Sequence, residues 1–494
     1  MAIPTAQLTL GLSDDRMARP KYIKLEHMMH PKSVAIIGAS SNPDKVGHII
    51  LQNYMDVGFS GKLYPVNINA EGDILGLKSY KRINDVKDAV DLAVIAVPAA
   101  IVPSILEECG KAGVKSAVVV SGGFAEVGEV DLQERLAKVA EKYSMPVLGP
   151  NCLGIMDPRA RIDTLFLPTF KLDRPSIGGV SFVSQSGAVG STILDLIAHE
   201  GFGLARFISY GNATVVDEVD ILNYLAEDDD TKVIIFYLEG AKRGRDFIEI
   251  AKTTTLKKPV VIIKGGKTHE GAKAAQSHTA SLAGSYQVYE AIFRQFGFTI
   301  ANDLDELLFF GKIFDTQPLC KGNRVAIITN GGGTGVLATD GLYENGLQVA
   351  SLSDQSNKAL RKAMPPIVNI RLPMDMAGDA DDKRFGAALD IISNDPGVDA
   401  IMVIALFQTP GADSRVAASL IHYGSSMKKP MVVVSPGGSY TEVHKRMMES
   451  SGVPVYDSPE TAAKALKALI DYSNYLENAR KLYASGNVRG KRPG

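Results

Sequence analysis

Short runs of aliphatic and β-branched residues alternate along the chain with longer stretches of helical period. The first such runs lie at residues 34–38, 63–66, 92–97, 117–120 and 147–148. They recur roughly every 25–30 residues, as a doubly wound sheet requires. This alternation predicts parallel βαβ units and therefore an α/β fold.

Two further blocks repeat the pattern. Their runs lie at 180–183, 205–208, 233–238 and 260–264, and then at 325–328, 400–406, 431–434 and 453–456, with a last helix at 459–472. Turn-forming residues mark both junctions between blocks: Gly149-Pro150-Asn151 at the first, and Pro318 to Gly322 at the second. At about 150 residues per domain, three domains fit the length. We predict a tail at 1–20, domains at 21–155, 156–318 and 319–475, and a tail at 476–494.

The second and third blocks contain an internal repeat. VSFVSQSGAVGSTILDLIAHEG, from Val180, aligns without gaps with VAIITNGGGTGVLATDGLYENG, from Val325. The alignment matches Gly187 with Gly332 and continues through strand, turn, helix and terminal glycine. A general likeness among doubly wound domains is the alternative, but this shared register favours a duplication.

Both copies of the repeat place glycines and hydroxyl residues between a strand and the start of a helix, at Ser184–Gly190 and Thr329–Gly335. Free backbone N–H groups and the positive end of the helix dipole favour an anion there. Tight helix-to-sheet packing without a ligand is the alternative for each turn taken alone. Two copies in one chain predict a single phosphate held between two helix ends.

The first block has a glycine turn of a different kind. Gly38 begins GASSNPDKVG, which lacks the GxGxxG spacing of a dinucleotide site, and Asn67 and Asn69 stand where a nicotinamide site needs a carboxylate. A nicotinamide cofactor is therefore disfavoured, while another phosphate-bearing ligand remains open. Lys45 is either its charge partner or a solvated surface lysine.

Three side chains are candidates for covalent or acid–base chemistry. His278 lies in QSHTASLAG, within the small-residue segment Gly265–Gly284, where an imidazole can act as a base or a nucleophile. Glu239 ends the apolar run VIIFYLEG, where it can orient an imidazole or simply pair with Lys242 or Arg243. Cys152 is either a nucleophilic thiol or, more in keeping with free cysteines, a small buried residue.

Composition excludes several classes of protein. With 53 Lys and Arg against 55 Asp and Glu, the net charge of −2 gives no reason to bind nucleic acid. The three cysteines lie far apart, so they predict neither a disulfide framework nor a metal site. We see no signal peptide and no membrane span, and we therefore expect a cytoplasmic protein.

Taken together, the motifs resemble those of the α subunit of the ADP-forming acyl-CoA synthetases, relatives of succinyl-CoA synthetase. The resemblance covers about residues 26 to 475. The matching segments, in the family's order, are SVAIIGASSNPDKVG, LYPVNIN, SGGFAEVG, GPNCLG, SQSGAVG, SYGNATVVDEVD, YLEG, QSHTASLAG and TNGGGTGV. It implies an N-terminal Rossmann-like CoA-binding domain followed by two flavodoxin-like ligase-CoA domains with parallel sheets.

The resemblance also implies an acid–thiol ligase reaction: acyl-CoA, ADP and phosphate are converted reversibly to carboxylate, CoA and ATP. His278 would carry the phosphoryl group on a swinging loop, oriented by Glu239. The helix ends at Ser186, Gly187, Ala188 and at Gly332, Gly333, Thr334 would stabilise that group, and Asn151 would line the acyl site. The residues implied for CoA are Gly38, Ser40, Ser41, Lys45, Val97, Pro98, Ser121, Gly122, Gly123 and Phe124.

The same resemblance implies a partner. No ATP-grasp-like portion is recognisable in the sequence, so ADP or ATP, with Mg²⁺, would bind a separate ATP-grasp β subunit in an α2β2 assembly. The substrate would be acetate or another small carboxylate. A CoA-binding regulatory protein without turnover is the alternative, and a nicotinamide-dependent oxidoreductase is a weaker one.

Overall fold

The computed structural model describes residues 22–273 and 285–484, which form three α/β units in succession along the chain. The elements of the first unit are α1 (Glu26–Met29), β1 (Ser33–Ile37), α2 (Val46–Asp56), β2 (Lys62–Val66), β3 (Leu92–Ile95), α3 (Val102–Lys111), β4 (Ser116–Val119), α4 (Val130–Lys142) and β5 (Val147–Leu148), with 3₁₀ turns at Ile83–Asp85, Ala99–Ile101 and Ala125–Val127.

The first sheet has the strand order β2-β1-β3-β4-β5, and all of its pairings are parallel. Tyr80 makes an isolated parallel bridge to Val66 at the free edge of β2. This bridge occupies the place of a third strand, so the order becomes 3-2-1-4-5-6, that of a Rossmann fold. The predicted Rossmann-like domain is therefore confirmed.

The second unit is built on a seven-stranded sheet of order β12-β11-β10-β8-β9-β6-β7. Its elements are β6 (Gly154–Asp157), β7 (Ile162–Asp163), β8 (Ile177–Ser184), α5 (Gly187–Glu200), β9 (Leu204–Ser209), α6 (Glu218–Glu227), β10 (Val233–Leu238), α7 (Gly244–Lys257), β11 (Val260–Lys264), α8 (Tyr286–Gln295), β12 (Thr299–Ile300) and α9 (Leu304–Thr316).

The third unit carries the order β14-β13-β16-β17-β18, with β15 paired to β13. Its elements are β13 (Arg324–Thr329), α10 (Gly332–Glu344), β14 (Gln348–Val349), α11 (Asp354–Ala363), β15 (Met374–Asp375), α12 (Asp382–Ile392), β16 (Ala400–Ile404), α13 (Ser414–Ser426), β17 (Met431–Val434), α14 (Ser439–Glu449), β18 (Val455–Tyr456) and α15 (Pro459–Ala484).

The second and third units share one topology. The parallel strands β9-β8-β10-β11-β12 of one follow the same order as β14-β13-β16-β17-β18 of the other, and this is the flavodoxin-like order 2-1-3-4-5. The prediction of two flavodoxin-like domains is confirmed. The prediction of parallel sheets needs one addition, because β6 and β7 join the edge of the second sheet antiparallel.

The last helix is longer than its predicted extent of 459–472. It continues to Ala484 and so enters the segment 476–494 that the sequence analysis treats as a tail. Leu476 still packs into the core, and Lys481 pairs with Glu477 one turn away at 2.7 Å. Such i, i+4 pairs stabilise a helix without requiring a buried face. The apolar pattern alone therefore ends the helix too early.

The middle sheet shares a hydrophobic core with each neighbouring unit. In β10, Val233 and Ile235 belong to a core that includes β13, β16 and α15 of the third unit. Ile234 and Phe236 belong to a core that includes β1 and α2 of the first unit. Because successive residues of a strand point to opposite faces, both faces of β10 are buried. Across residues 22–273 and 285–484, every helix is too short or too polar to cross a bilayer.

Candidate active site

A cleft of about 400 Å³ lies at the carboxyl ends of β8 and β10, against the end of the first unit. Open α/β sheets bind their ligands at this edge. The polar or small residues that line the cleft are Asn151, Gln185, Ser186, Gly187, Ala188, Gly211, Asn212 and Glu239, and the apolar ones are Val120, Cys152, Leu153 and Phe166. Six separate stretches of the sequence therefore meet at one place.

The turn between β8 and α5 brings the start of a helix into this cleft. Ser186 is the N-cap of α5, and its hydroxyl accepts a hydrogen bond from the Val189 amide. The Ser184 hydroxyl donates to the Ser186 carbonyl at 2.6 Å and closes the turn. Since the first amides of a helix have no partner within it, the Gly187 and Ala188 N–H groups offer a site for an anion.

Glu239 lies directly after β10, within the same cleft, and is 8% exposed. The Tyr237 hydroxyl donates to Glu239 Oε1 at 3.2 Å. The Gln185 side chain braces this strand end, because its Oε1 accepts hydrogen bonds from the Glu239 amide at 2.7 Å and the Gly240 amide at 3.1 Å. Gln185 thus fixes the end of β10, which carries Glu239, relative to the start of α5.

A buried cation accompanies Glu239. Lys264, at the end of β11, is 1% exposed, donates to the Gly265 carbonyl and lies 5.0 Å from the centroid of the Tyr289 ring. Burial lowers the pKa of Lys264, and the charge of Glu239 opposes that change. The charge of Glu239 therefore favours the ionised form of the Lys264 ammonium.

Lys242 and Arg243, the alternative partners considered for Glu239, make other contacts. The Lys242 ammonium donates to the carbonyls of Asn212 at 2.8 Å and Ala213 at 3.0 Å. Arg243 binds Asp217, the N-cap of α6, at 2.6 Å. Both cations therefore hold the loop that brings Asn212 into the cleft.

Asn212 is the link between the cleft and the first unit. Its Nδ2 donates to Glu126 Oε2 and to Gln133 Oε1, while its Oδ1 accepts from Asn151 Nδ2 at 3.3 Å. Glu126 Oε1 in turn accepts from the amides of Gly123 and Phe124. Burial would raise the pKa of Glu126, but these donors hold it below its ordinary value. The ionised Glu126 carboxylate therefore links the loop at residues 121–124 to Asn212 in the cleft.

The second repeated turn has the same internal bonds. The Thr329 hydroxyl donates to the Gly331 carbonyl at 2.9 Å, as Ser184 does to Ser186, and Asn330 Oδ1 accepts from the Leu406 amide at 2.8 Å, as Gln185 does from Glu239. Strand register agrees, because Ser184 pairs with Tyr237 and Thr329 with Ile404. Leu406 therefore occupies the position of Glu239.

The helix end of that second turn starts α10 at Gly332. Gly332, Gly333 and Thr334 are not among the described residues that line the cleft. A Cβ at Gly332 would approach Asp375 Oδ2 to 2.7 Å, whereas one at Gly333 would meet open space. That two helix ends hold one phosphate stays a prediction.

Gly38 and Val97, two of the residues predicted to contact CoA, line a separate cleft of about 160 Å³ in the first unit. Gly38 has a φ of +98°, and a Cβ there would lie 2.3 Å from the Ala96 carbonyl oxygen, so only glycine fits. Asn67, Ile68, Lys81 and Arg82 also line this cleft. The two cations were not predicted, because no motif marks them.

The other predicted CoA residues lie around the same sheet edge. Ser40 accepts from the Asn42 amide, and Ser41 and Lys45 are exposed next to it at the start of α2. The Ser121 hydroxyl donates to the Val97 carbonyl at 2.6 Å, and the Ser121 carbonyl accepts from the Asn151 amide at 2.9 Å. Ser121 therefore joins the two clefts.

The remaining residues predicted to contact CoA differ in exposure. Pro98 and Gly122 are exposed, Gly123 is half-buried, and Phe124 is buried in the core.

Cys152 has the character of a packing residue. It is 3% exposed, its thiol donates to the Val119 carbonyl, and burial raises the pKa of the thiol to about 12. A thiol that remains protonated at neutral pH is a poor nucleophile. We therefore expect Cys152→Ala to remain active, since no covalent step uses the thiol, and to lose about 1 kcal/mol of unfolding free energy, measured by steady-state kinetics and urea denaturation. Loss of turnover in a folded variant would contradict this.

His278 lies outside the described residues, so its predicted role stays a prediction. Among the residues that sequence reasoning did not single out, Gln185 was at least inside a recognised motif, SQSGAVG. Glu126 and Asn212 likewise lie inside recognised motifs, SGGFAEVG and SYGNATVVDEVD, whereas Phe166 lies in none. The contacts of all three come from distant parts of the chain, so the motifs do not predict them.

Three family descriptions match the chain in the order of its three units. A CoA binding domain matches residues 32–158, a succinyl-CoA ligase like flavodoxin domain matches 177–314, and a ligase-CoA domain matches 325–470.

Curated relatives match nearly the whole chain. The α subunit of acetate–CoA ligase [ADP-forming] II from Pyrococcus furiosus is 40% identical over 452 residues, which are 90% of this chain and 97% of the relative. The α subunit of the form I enzyme from the same organism is 40% identical over 462 residues, 92% of this chain and 98% of the relative. Acetate–CoA ligase [ADP-forming] from Methanocaldococcus jannaschii is also 40% identical, but this chain spans only 66% of its length.

A solved structure agrees with these relatives. The dinucleotide forming acetyl-coenzyme A synthetase 1 of Ca. Korarchaeum cryptofilum, in complex with phosphate and ADP, superposes with a TM-score of 0.86 at 37% identity. The match covers 92% of this chain and 99% of that one. With the same three domains in the same order and this identity over most of its length, the chain belongs to the α-subunit family of the ADP-forming acetate–CoA ligases.

Proposed function

We propose that the chain is the catalytic α subunit of an ADP-forming acyl-CoA synthetase that acts on a small carboxylate. The reaction converts acyl-CoA, ADP and phosphate reversibly to carboxylate, CoA and ATP. One observation carries the proposal: a helix N-terminus, the Glu239 carboxylate and Asn151 line one cleft, which Ser121 joins to the cleft lined by Gly38 and Val97 in the first unit.

In the first step, phosphate held at the start of α5 attacks the thioester carbonyl carbon. The C–S bond breaks, CoA leaves as the thiolate and takes up a proton, and an acyl phosphate remains. The Gly187 and Ala188 amides stabilise the negative charge of the phosphate oxygens through hydrogen bonds and the helix dipole. Asn151, whose amide is held by Ser121, presents its polar side chain to the acyl end.

In the second step, an imidazole nitrogen of His278 attacks phosphorus, the bond to the acyl oxygen breaks, and the carboxylate is released. Glu239 accepts a hydrogen bond from the other ring nitrogen, which fixes the tautomer and stabilises the charge that develops on the ring. Phosphoryl transfer of this kind depends on positioning and charge stabilisation. The phosphohistidine then delivers its group to ADP.

We further propose that ADP, with its Mg²⁺, binds an ATP-grasp β subunit in an α2β2 assembly. The Pyrococcus relatives are named as α subunits, and this chain spans 97% and 98% of them. The Methanocaldococcus relative is longer, with this chain covering 66% of it, which leaves a third of that protein for a nucleotide-binding portion. The substrates are metabolites of the cytoplasm, where we place the enzyme.

The test is phosphoenzyme formation. The purified chain is incubated with ³²P-labelled phosphate, Mg²⁺ and a series of acyl-CoAs, with and without its co-purifying partner. We expect label on the chain that is labile to acid and stable to base, as a phosphohistidine is, and transfer of that label to ADP when the partner is present.

Two results would contradict the proposal. If no acyl-CoA gives label even with the partner present, while CoA still binds, the chain is a CoA-binding regulatory subunit. If label forms but is stable to acid, the phosphorylated residue is not a histidine, and the second step is wrong.

A further inference from the structure

Phe166 is the largest apolar side chain that lines the cleft, and it belongs to the loop that follows β7. Its side chain is partly buried and packs against both of the cores that flank the middle sheet. Val120, Cys152 and Leu153 complete the apolar lining. Because the thioester carbonyl must meet the helix end at Gly187, the acyl tail is the part of the substrate left to contact this apolar set.

The backbone on each side of Phe166 is fixed from another domain. Asn53 of α2 is 1% exposed, and its Nδ2 donates to the Leu165 carbonyl at 2.7 Å and to the Leu167 carbonyl at 3.1 Å. Arg174 donates to the same Leu167 carbonyl at 2.7 Å. A shift of the backbone at Phe166 would leave these donors without acceptors, which is costly because Asn53 is buried.

The start of the loop is equally constrained. Asp163 is fully buried, and its Oδ1 accepts from the Leu165 amide at 3.0 Å while its Oδ2 pairs with Arg174 Nε at 2.7 Å. The ion pair therefore closes the loop on itself around Phe166. Because the backbone on both sides of Phe166 is held by these hydrogen bonds, the point from which its ring enters the cleft is fixed.

The charges of the cleft restrict the acyl group further. Among the described residues that line it there is no Lys, Arg or His, and the acid is Glu239. A second carboxylate on the acyl chain would be desolvated without a cation and repelled by Glu239. The described lining thus disfavours dicarboxylic substrates.

We propose that Phe166, whose flanking backbone is held by Asn53 and Arg174, sets the length of the acyl group, so that the enzyme selects short monocarboxylic acyl-CoAs. This inference rests on the proposed function, because it assigns the substrate class of that same cleft. Shortening the Phe166 side chain opens the apolar end and admits bulkier tails without a change in the chemistry.

The experiment compares wild type, Phe166→Leu, Phe166→Ala and the control Phe170→Ala, each assembled with the nucleotide-binding partner. Phe170 belongs to the same loop but is 82% exposed. Values of kcat/KM are measured for acetyl-, butanoyl-, 2-methylpropanoyl-, phenylacetyl- and succinyl-CoA, and the binding of acetyl- and phenylacetyl-CoA is measured by calorimetry.

We expect the ratio of kcat/KM for phenylacetyl-CoA to that for acetyl-CoA to rise roughly 10- to 200-fold in Phe166→Ala, the usual discrimination of an apolar pocket. Phe166→Leu, which keeps most of the volume, gives an intermediate rise, and Phe170→Ala gives none. Succinyl-CoA stays a poor substrate throughout. The binding ratios follow the same order.

Unchanged ratios in both Phe166 variants, an equal rise in Phe170→Ala, or a wild-type preference for succinyl-CoA would overturn the inference. If wild type turns over no acyl-CoA at all, the proposed function fails instead, and the calorimetric ratios still decide whether Phe166 limits acyl size. If Phe166→Ala does not fold, Phe166→Leu carries the comparison.

Discussion

Replacing His278 by Ala is expected to abolish the phosphoenzyme and to stop the synthesis of ATP. Without the imidazole no side chain carries the phosphoryl group from the acyl phosphate to ADP, and the direct transfer would have to span two separate sites. CoA binding should remain close to that of wild type, because the proposed CoA residues belong to the first domain. The measurements are ³²P incorporation, coupled ATP formation and CoA binding by calorimetry.

His269→Ala is the matched control, since this exposed histidine precedes His278 in the same connection between β11 and α8. It should keep wild-type labelling. Persistent label in His278→Ala would assign the phosphoryl carrier to another residue, and loss of CoA binding in that variant would show that the substitution damages the fold.

Replacing Glu239 by Gln is expected to slow phosphorylation of the chain by roughly 10²- to 10⁴-fold, the usual contribution of a positioned acid–base or orienting group. Gln keeps the size of the side chain but cannot balance a positive imidazole. The carboxylate it replaces is 8% exposed, so water screens its charge weakly. Single-turnover ³²P incorporation, followed by rapid quench, measures the rate.

Two further variants show whether the effect belongs to the charge of Glu239. Glu239→Asp keeps the charge and should recover part of the rate. Glu227→Gln removes an acid that is 70% exposed and pairs with Lys257 at the far end of α6, and it should have no effect. An unchanged rate in Glu239→Gln would make Glu239 a rim residue without a catalytic part.

The long strands could be predicted from sequence because each one is buried on both faces. β10 and β11 agree with their predicted limits, and the common order of the two ligase-like sheets follows from the repeat. Several strands of two residues, such as β7 and β12, were missed. Two residues are too short to show a period, and neighbouring strands alone define them.

The site was predicted only as far as local motifs reach. Ser186 to Ala188 stand out because a strand, a turn and a helix follow one another within a few residues. Phe166 does not, because the Asn53 side chain that clamps it is 112 residues away from Leu165. Asn212 and Glu126 are 86 residues apart. Such contacts depend on how domains pack, which no pattern within one segment encodes.

Glu239 and Leu406 occupy equivalent positions in the two repeated turns, and this difference bears on how the chain can evolve. Gln185 and Asn330 still hold equivalent strand ends in the same way, yet the acid stands in one copy and an aliphatic residue in the other. In a symmetric homodimer one gene encodes both halves. Every substitution therefore appears in both copies of a site and must be acceptable in each. With both halves in a single polypeptide, that restriction disappears. The third domain is thereby free to carry an aliphatic residue where the second carries an acid, while it keeps its helix end.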